Sequence, residues 1–168
     1  MTQLNDNAFQ WALDSYQKAI EIEPNYPQAY AGLALTYLLK GSWHGLVPPG
    51  QVYPKAKQAA NQALTLDSTV ADAHIALARI QHLYEWDWEA AEIAYKRGIE
   101  LSPSTTFARI LYANFLTSMG RFQESIKICR RILEIDPLST AVYNELGFAH
   151  WHAGNSKKAI ELINDGFS

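Results

Sequence analysis

The feature that most constrains this chain is a helix ending that recurs along it. Four amphipathic segments close with similar residues, and the closing position is Pro24, Ser68, Pro103 or Pro137. Proline stops a helix because it lacks the amide donor and disfavours helical geometry in the residue before it. The steps between these positions are 44, 35 and 34 residues. The chain therefore carries an internal repeat of about 34 residues, with one copy enlarged by about ten.

A second kind of helix is predicted after each of these endings. The four segments are residues 29–41, 73–85, 108–120 and 142–154. Apolar residues recur in them at spacings of three and four, which is typical of a helix with one buried face. A small residue in the stripe, such as Gly147, allows a neighbouring helix to approach closely. The repeating unit is therefore two helices joined by a tight turn, and we expect an all-α chain with about nine helices.

This unit resembles the tetratricopeptide repeat, whose first helix carries an aromatic residue, a leucine, a small residue and a tyrosine, and whose second carries alanine and a final proline. The matching residues are Tyr143, Leu146, Gly147, His150 and Ala159, then Tyr30, Leu33, Ala34 and Tyr37, and on the preceding helix Ala12, Tyr16, Ala19 and Pro24. Arg109, Gln81, Gly98 and Ile132 depart from the pattern. The resemblance implies a right-handed superhelical solenoid of stacked antiparallel helix pairs.

The resemblance also implies one solenoid domain over residues 1–168. Its divisions are a half repeat at 1–26, repeats at 27–70, 71–105 and 106–139, and a partial repeat at 140–168. The last helix leaves Ile160 and Ile163 without an obvious cover. We therefore expect a piece of a longer protein, or an end that docks on something, including self-association through this C-terminal helix.

Two sequence segments point to a particular subset of this family. They are WDWEAAE with IELSPS, and the longer turn GSWHGLVPPGQVYPKAKQAANQAL. Together they resemble tetratricopeptide regions of bacterial signalling proteins, which stand beside nucleotide cyclase, Ser/Thr kinase or winged-helix DNA-binding domains. This resemblance implies an alternative function, a sensory or regulatory segment that passes a signal to an output domain outside the chain.

Charge and hydropathy exclude several classes of protein. The net charge is −3, from 14 Lys and Arg against 17 Asp and Glu, without the basic stripe of a nucleic-acid binder. Lys127, Arg130 and Arg131 are predicted to be a solvated helix face. The N-terminus does not resemble a secretion signal, and the longest near-apolar run is too short to span a bilayer. We expect a cytoplasmic protein that neither binds nucleic acid nor inserts into a membrane.

The residues that could carry chemistry do not form a catalytic or metal-binding pattern. His150 and His152 lie about 200° apart around a helix, so they cannot chelate one ion. Cys129 is the only cysteine and falls on an apolar position, which predicts a buried thiol. No phosphate loop, nucleophile elbow or dinucleotide-binding turn occurs. We expect no enzyme, no cofactor and no metal.

What remains is the concave groove that the resemblance implies. In the family, residues between the packing positions of the first helices face this groove. Carried over position by position, they are Gln28, Ala31, Leu35, Leu38, Asp72, Ile75, Arg79, His82, Phe107, Ile110, Asn114, Thr117, Asn144, Phe148 and Trp151. For Leu35, Ile110 and Phe148, packing against neighbouring helices is an equal alternative. The leading hypothesis is a non-enzymatic scaffold that binds a peptide or protein segment in this groove, with Arg79 and Trp151 as its main anchors.

Trp86 and Trp88 stand two residues apart in acidic surroundings. Aligning this stretch with the next repeat places Trp88 over Phe122, so Trp88 is predicted to pack in the corner of a helical hairpin. Asp87 is predicted to cap the helix that follows, with Glu89 in its first turn. Trp86 is predicted to be the extra, largely exposed residue of a longer loop, without a counterpart in the other repeats; packing is its favoured role, with binding left open.

Overall fold

The computed structural model describes the backbone of residues 2–42 and 47–166 and the side chains of residues 7–41 and 47–166. These residues form nine α-helices and no strand, which confirms the all-α prediction. The helices are α1 Thr2–Ile22, α2 Pro27–Ser42, α3 Pro49–Leu66, α4 Ala71–Ile80, α5 Trp88–Leu101, α6 Thr106–Ser118, α7 Phe122–Leu133, α8 Thr140–His152 and α9 Ser156–Asp165. A π-helical segment, Gln81–Glu85, continues α4.

The chain divides into two compact units. Unit 1 is Met1–Pro103 and contains α1 to α5, and unit 2 is Ser104–Ser168 and contains α6 to α9. The assignment of a single solenoid domain, with the repeat boundaries given above, stays a prediction. The enlarged copy lies in unit 1, where α3 has 18 residues against 14 in α5 and 12 in α7. Residues 43–46 of its long turn lie outside the described residues.

Unit 1 is held together by small buried side chains. Its main core contains Ala34, Leu38, Val52, Tyr53, Ala56, Ala59, Ala60, Ala76 and Ile80, from α2, α3 and α4. Close approach also depends on glycine. Gly32 of α2 lies against the Tyr16 ring of α1, and a Cβ at Gly98 of α5 would lie 2.6 Å from Cδ1 of Ile75. Alanine and glycine thus let the helix backbones approach one another closely.

Unit 2 has a more conventional core of larger side chains. Its buried members are Ala113, Ile126, Cys129, Ile132, Val142, Leu146, Ala149 and Leu162. A Cβ at Gly147 of α8 would lie 2.7 Å from Cγ1 of Ile163 on α9, so the predicted close contact at this glycine is confirmed. Cys129 is buried as predicted, and burial, reinforced by the charge of Glu145, raises the pKa of its thiol to about 12.

The turn between the two helices of a repeat recurs with the same backbone form. Gly120 (φ 74°), Gly154 (φ 83°) and Trp86 (φ 58°) all adopt the left-handed conformation. Each stands two residues before the helix that follows, which is α7, α9 or α5. Trp86 therefore occupies the place that glycine occupies in the other two turns. The prediction that Trp86 has no counterpart is wrong.

The turn between α4 and α5 has one extra residue, which lies upstream of Trp86. In the turn at Gly120, the Arg121 amide donates to the Leu116 carbonyl, five residues back, at 2.9 Å. In the turn at Trp86, the Asp87 amide donates to the Gln81 carbonyl, six residues back, at 3.0 Å. The wider π-helical turn of Gln81–Glu85 thus absorbs the additional residue and leaves the end of the turn unchanged.

The side chains after the turn also differ from expectation. Asp87 caps α5, since its Oδ1 accepts from the Ala90 amide at 3.1 Å, as predicted. Trp88, however, is 52% exposed and does not fill the corner, so the prediction that it packs there is wrong. Phe122, at the same position in unit 2, stacks on the His152 ring with centroids 6.4 Å apart. No described residue offers Trp88 a comparable aromatic neighbour.

Candidate functional site

The predicted groove residues lie on the first helix of each repeat and differ in exposure. Those on α2, α4 and the π-helical segment belong to unit 1, and those on α6 and α8 belong to unit 2. The exposed ones are Gln28, Asp72, Phe107, Phe148 and Trp151. The half-buried ones are Leu35, Arg79, Ile110, Asn114 and Asn144. The buried ones are Ala31, Leu38, Ile75, His82 and Thr117. Ten of the fifteen side chains can therefore touch a ligand, while the buried five pack beneath them.

In unit 1 the structure brings three predicted residues to one pocket. Gln28, Leu35 and Asp72 line a cavity of about 470 Å³. The rest of its lining is Tyr16, Tyr26, Ala29, Gly32, Thr36 and Leu39. The pocket combines an amide, a carboxylate and two phenol rings with aliphatic side chains, so it can hold an apolar group and hydrogen-bond its polar edge. Sequence reasoning had assigned Tyr16 to packing and had not considered Tyr26.

Arg79 is engaged with the interior of unit 1. Burial, and then the charge of Arg79, lower the pKa of His82 to about 4. Burial also raises the pKa of Tyr95 to about 12, while the charge of Arg79 and a hydrogen bond from it act in the opposite direction. The rings of His82 and Tyr95 meet edge to face, with centroids 6.4 Å apart. Truncating Arg79 would therefore remove internal contacts as well as any contact to a ligand.

In unit 2 the polar groove residues surround a buried carboxylate. Glu145 of α8 is only 6% exposed, and its Oε2 accepts from Nδ2 of Asn114 at 3.1 Å. The Thr117 hydroxyl lies 3.0 Å from Oε1 of Glu145 and 2.8 Å from Oγ of Ser125. Asn114 thus holds a protein carboxylate that sequence reasoning missed. The available signal was a single acid in the otherwise apolar run NELGFAHW.

Two large aromatic side chains of α8 are exposed to solvent. Phe148 is 54% exposed and Trp151 is 56% exposed. Asn144, Phe148 and Trp151 follow one another at spacings of four and three, so they form one stripe along the helix. Phe107 is also exposed, on α6, and α6 packs beside α8. This face of unit 2 offers a polar end and an aromatic end to a ligand.

The described residues contain neither a cluster suited to a metal ion nor a helix suited to crossing a membrane. Among the side chains of residues 7–41 and 47–166, no group of three or more His, Cys, Asp or Glu is arranged to hold a metal ion. Over the same part of the chain, no helix combines the length and apolar character needed to cross a bilayer. His74 lies within hydrogen-bonding distance of the Ser68 carbonyl, with Nε2 3.0 Å from the oxygen. Desolvation lowers the pKa of His150, and the nearby charges of Arg130 and Lys158 act in the same direction.

Comparison with known proteins places the repeats in a family. A family model described as "TPR repeat" matches residues 7–41, and one described as "Tetratricopeptide repeat" matches residues 108–137. Superkiller protein 3 of Schizosaccharomyces pombe is 23% identical over 167 residues, which are 95% of this chain and 11% of that protein. Anaphase-promoting complex subunit 3 of Dictyostelium discoideum is 32% identical over 68 residues, 40% of this chain and 7% of that protein. The chain thus spans only a small part of these relatives.

Solved structures share the fold at low sequence identity. MamA has a TM-score of 0.67 at 21% identity, covering 99% of this chain and 91% of the MamA chain. YrrB, described as a TPR protein with an unusual peptide-binding site, has a TM-score of 0.63 at 23% identity, covering 97% of this chain and 78% of its own. A tetratricopeptide repeat protein from Parabacteroides merdae has a TM-score of 0.71 at 19% identity, covering 98% and 60%. The two matched repeats support a tetratricopeptide-repeat family, and these structures show that the chain shares their fold.

Proposed function

We propose that this chain is a non-enzymatic interaction scaffold that binds a peptide or protein segment through the first helices of its repeats. The observation that carries the proposal is the stripe on α8 in which Phe148 and Trp151 are exposed and Asn144 is half-buried. Two half-exposed aromatic side chains on one helix face have no role in the core of unit 2. Aromatic residues of this kind dominate the binding energy of protein interfaces.

The dimensions of the stripe suit a short peptide segment. Asn144 and Trp151 are seven residues apart, which is about 10 Å along a helix. That length matches about three residues of an extended chain. The Asn144 amide can then fix a backbone group of the peptide, while Phe148 and Trp151 cover its apolar side chains. The likeness to YrrB, whose description names a peptide-binding site, supports the same reading.

In unit 1 the proposal assigns ligand contacts to Gln28, Leu35 and Asp72, which share the pocket beside α1. Arg79 is half-buried beside His82 and Tyr95, so we propose that it shapes this surface from beneath and can contact a ligand only at its outer edge. The buried residues, such as Ala31 and Ile75, lie beneath the groove and determine its depth.

Selection of a displayed peptide library on the purified chain supplies the ligand for the test. We expect Phe148→Ala and Trp151→Ala each to weaken a selected peptide about tenfold or more while helicity stays unchanged. The matched controls are Lys127→Ala and Arg130→Ala, which are exposed on α7 and do not belong to the stripe. If the α7 variants lose binding and the α8 variants bind like the parent, the stripe is not the site.

The alternative function, a regulatory segment of a bacterial signalling protein, stays a prediction, as does a cytoplasmic location. An output domain encoded in the same reading frame would favour the regulatory function, and a free-standing chain would favour the scaffold. Self-association through α9 is a further proposal, supported by the exposed Ile160. Sedimentation of the parent and of Ile160→Glu tests it, since only the parent should then form oligomers.

A further inference from the structure

The corner between α4 and α5, residues 83–89, exposes aromatic side chains that the fold does not bury. Tyr84, Trp86 and Trp88 are all exposed, with Trp86 reaching 73%. Leu83, beside them, is exposed at 36%. None of these residues belongs to the peptide-binding stripe or to the pocket beside α1. Exposed apolar side chains concentrated in one short segment of the surface are a feature of interaction sites.

The indole of Trp86 is not explained by stability. Its backbone is left-handed, with φ 58°, which is strained for a bulky side chain and free of strain for glycine. The two equivalent turns have glycine, Gly120 and Gly154, at this position. Because the Trp86 side chain is mostly in solvent, it recovers little of the strain through packing. The fold alone would favour glycine here.

The charge around these rings is negative. Residues 80–95 contain Glu85, Asp87, Glu89 and Glu92 and no lysine or arginine. Lys57 pairs with Glu85 at 2.5 Å, and Lys96 pairs with Glu92 at 2.8 Å. Asp87 caps α5, and Glu89 forms no ion pair with any described residue. The two acids that flank Trp88 are therefore available to a cation from outside.

Aromatic faces beside carboxylates select for a guanidinium. An arginine side chain stacks on an indole and can also pair with a carboxylate in the plane of its fork. One wall of the corner is fixed, since the ring of Tyr84 packs edge-on against Tyr53 with centroids 5.3 Å apart. The same acids repel nucleic-acid phosphates and anionic lipid headgroups.

We propose that the α4–α5 corner is a second docking surface, which binds an arginine-containing segment of a partner protein. The guanidinium stacks on Trp86 or Trp88 and pairs with Asp87 or Glu89. This surface shares no residue with the stripe on α8, so different variants test the two sites.

The test uses a short fluorescent peptide of alternating arginine and glycine, and the same peptide with citrulline, the neutral analogue of arginine. Anisotropy titration should show binding of the arginine peptide and not of the citrulline peptide. Trp86→Gly should weaken it about fivefold, and Asp87→Asn with Glu89→Gln by a similar factor. Asparagine retains the capping ability of Asp87, so the paired charge variant keeps its fold.

The matched control is Trp11→Ala, because Trp11 of α1 is 74% exposed, as Trp86 is 73% exposed. It should bind the arginine peptide within about twofold of the parent, and so should Trp151→Ala, which separates this proposal from the stripe on α8. The proposal is overturned if the parent does not bind the arginine peptide, if the citrulline peptide binds equally well, or if Trp86→Gly binds like the parent. Vesicles of phosphatidylcholine provide the last arm: a Trp86-dependent blue shift with vesicles and no arginine-peptide binding would assign the corner to a membrane surface instead.

Discussion

The corner between α4 and α5 and the corner between α6 and α7 share a backbone conformation but differ in the side chains that they expose. Both end the first helix of a repeat with a left-handed residue, Trp86 in one and Gly120 in the other. In the α6–α7 corner Phe122 stacks on His152 and the glycine presents no side chain. In the α4–α5 corner the residue equivalent to Phe122, Trp88, is exposed, and an indole replaces the glycine.

The difference teaches that the turn itself does not require the aromatic side chains. A π-helical segment absorbs one extra residue, and the backbone then continues as in the other repeats. The side chains of this corner can therefore change without changing the fold, which is the condition under which a surface can be used for binding. Four predictions sharpen or break this comparison.

The largest effect is expected at Gly147, where glycine is needed for space rather than for backbone conformation. A Cβ there would lie 2.7 Å from Ile163 and 3.4 Å from the Ala159 carbonyl. Gly147→Leu should lower the free energy of unfolding by about 1–3 kcal/mol through overpacking. Urea denaturation measures it, with Trp86→Ala, expected within about 1 kcal/mol, as the comparison. A larger loss for Trp86→Ala would mean that the α4–α5 corner is packed after all.

The two corners should also differ in their response to pH. His82, beside the α4–α5 corner, has a pKa of about 4 against an ordinary 6.5, whereas Thr117 at the corresponding place in unit 2 does not titrate. The unfolded chain therefore takes up this proton first, and stability is lost as the pH falls from 6.5 towards 4. The loss at pH 5 should be about 2 kcal/mol.

Urea titrations at pH 7 and pH 5 for the parent and for His82→Gln isolate this contribution. The remaining titrating groups are common to both proteins, including His150, whose pKa is also lowered. Arg79, whose charge acts on His82, and Tyr95, whose ring meets the His82 ring edge to face, are present in both proteins. An equal loss of stability in the two proteins would contradict the burial of His82.

Gly120→Trp transfers the indole to the other corner. Nothing lies within 4 Å of a Cβ built at Gly120, so the substitution meets no steric obstacle beyond its own backbone. The cost should be the strain of a left-handed residue, about 1–2 kcal/mol. Gly120→Ala is the matched control and should lose a similar amount. If the tryptophan variant is as stable as the parent, left-handed tryptophan carries no strain and the argument from Trp86 fails.

The repeat and the helix-pair fold could be predicted from the sequence because they rest on spacing. Pro103 follows the end of α5 at Leu101 by two residues, and Gly147 marks a position where α9 packs closely against α8. The geometry of the turn between α4 and α5 could not be predicted. An insertion of one residue is visible in the sequence, but whether the loop or the preceding helix absorbs it depends on hydrogen bonding at Gln81 and Asp87.

The site was harder to predict from the sequence than the fold, for the same reason. The pattern identifies which helix face a residue occupies, and it does not show what the tip of a long side chain contacts. Arg79 was expected at a ligand and is engaged with His82 and Tyr95. Asn114 was expected at a ligand and holds Glu145. Short or rigid side chains, such as those of Phe148 and Trp151, carry no such ambiguity and are exposed where the pattern places them.

The central claim is that Trp86 occupies a glycine position without contributing to the stability of the fold. The free energy of unfolding of Trp86→Gly, measured against the parent by urea denaturation, tests it most directly. Relief of backbone strain should offset the added flexibility of the unfolded glycine chain and the small loss of packing, and we expect the variant to be more stable by up to about 1 kcal/mol. A loss of about 1 kcal/mol or more would show that the indole holds the α4–α5 corner together, and would contradict the account.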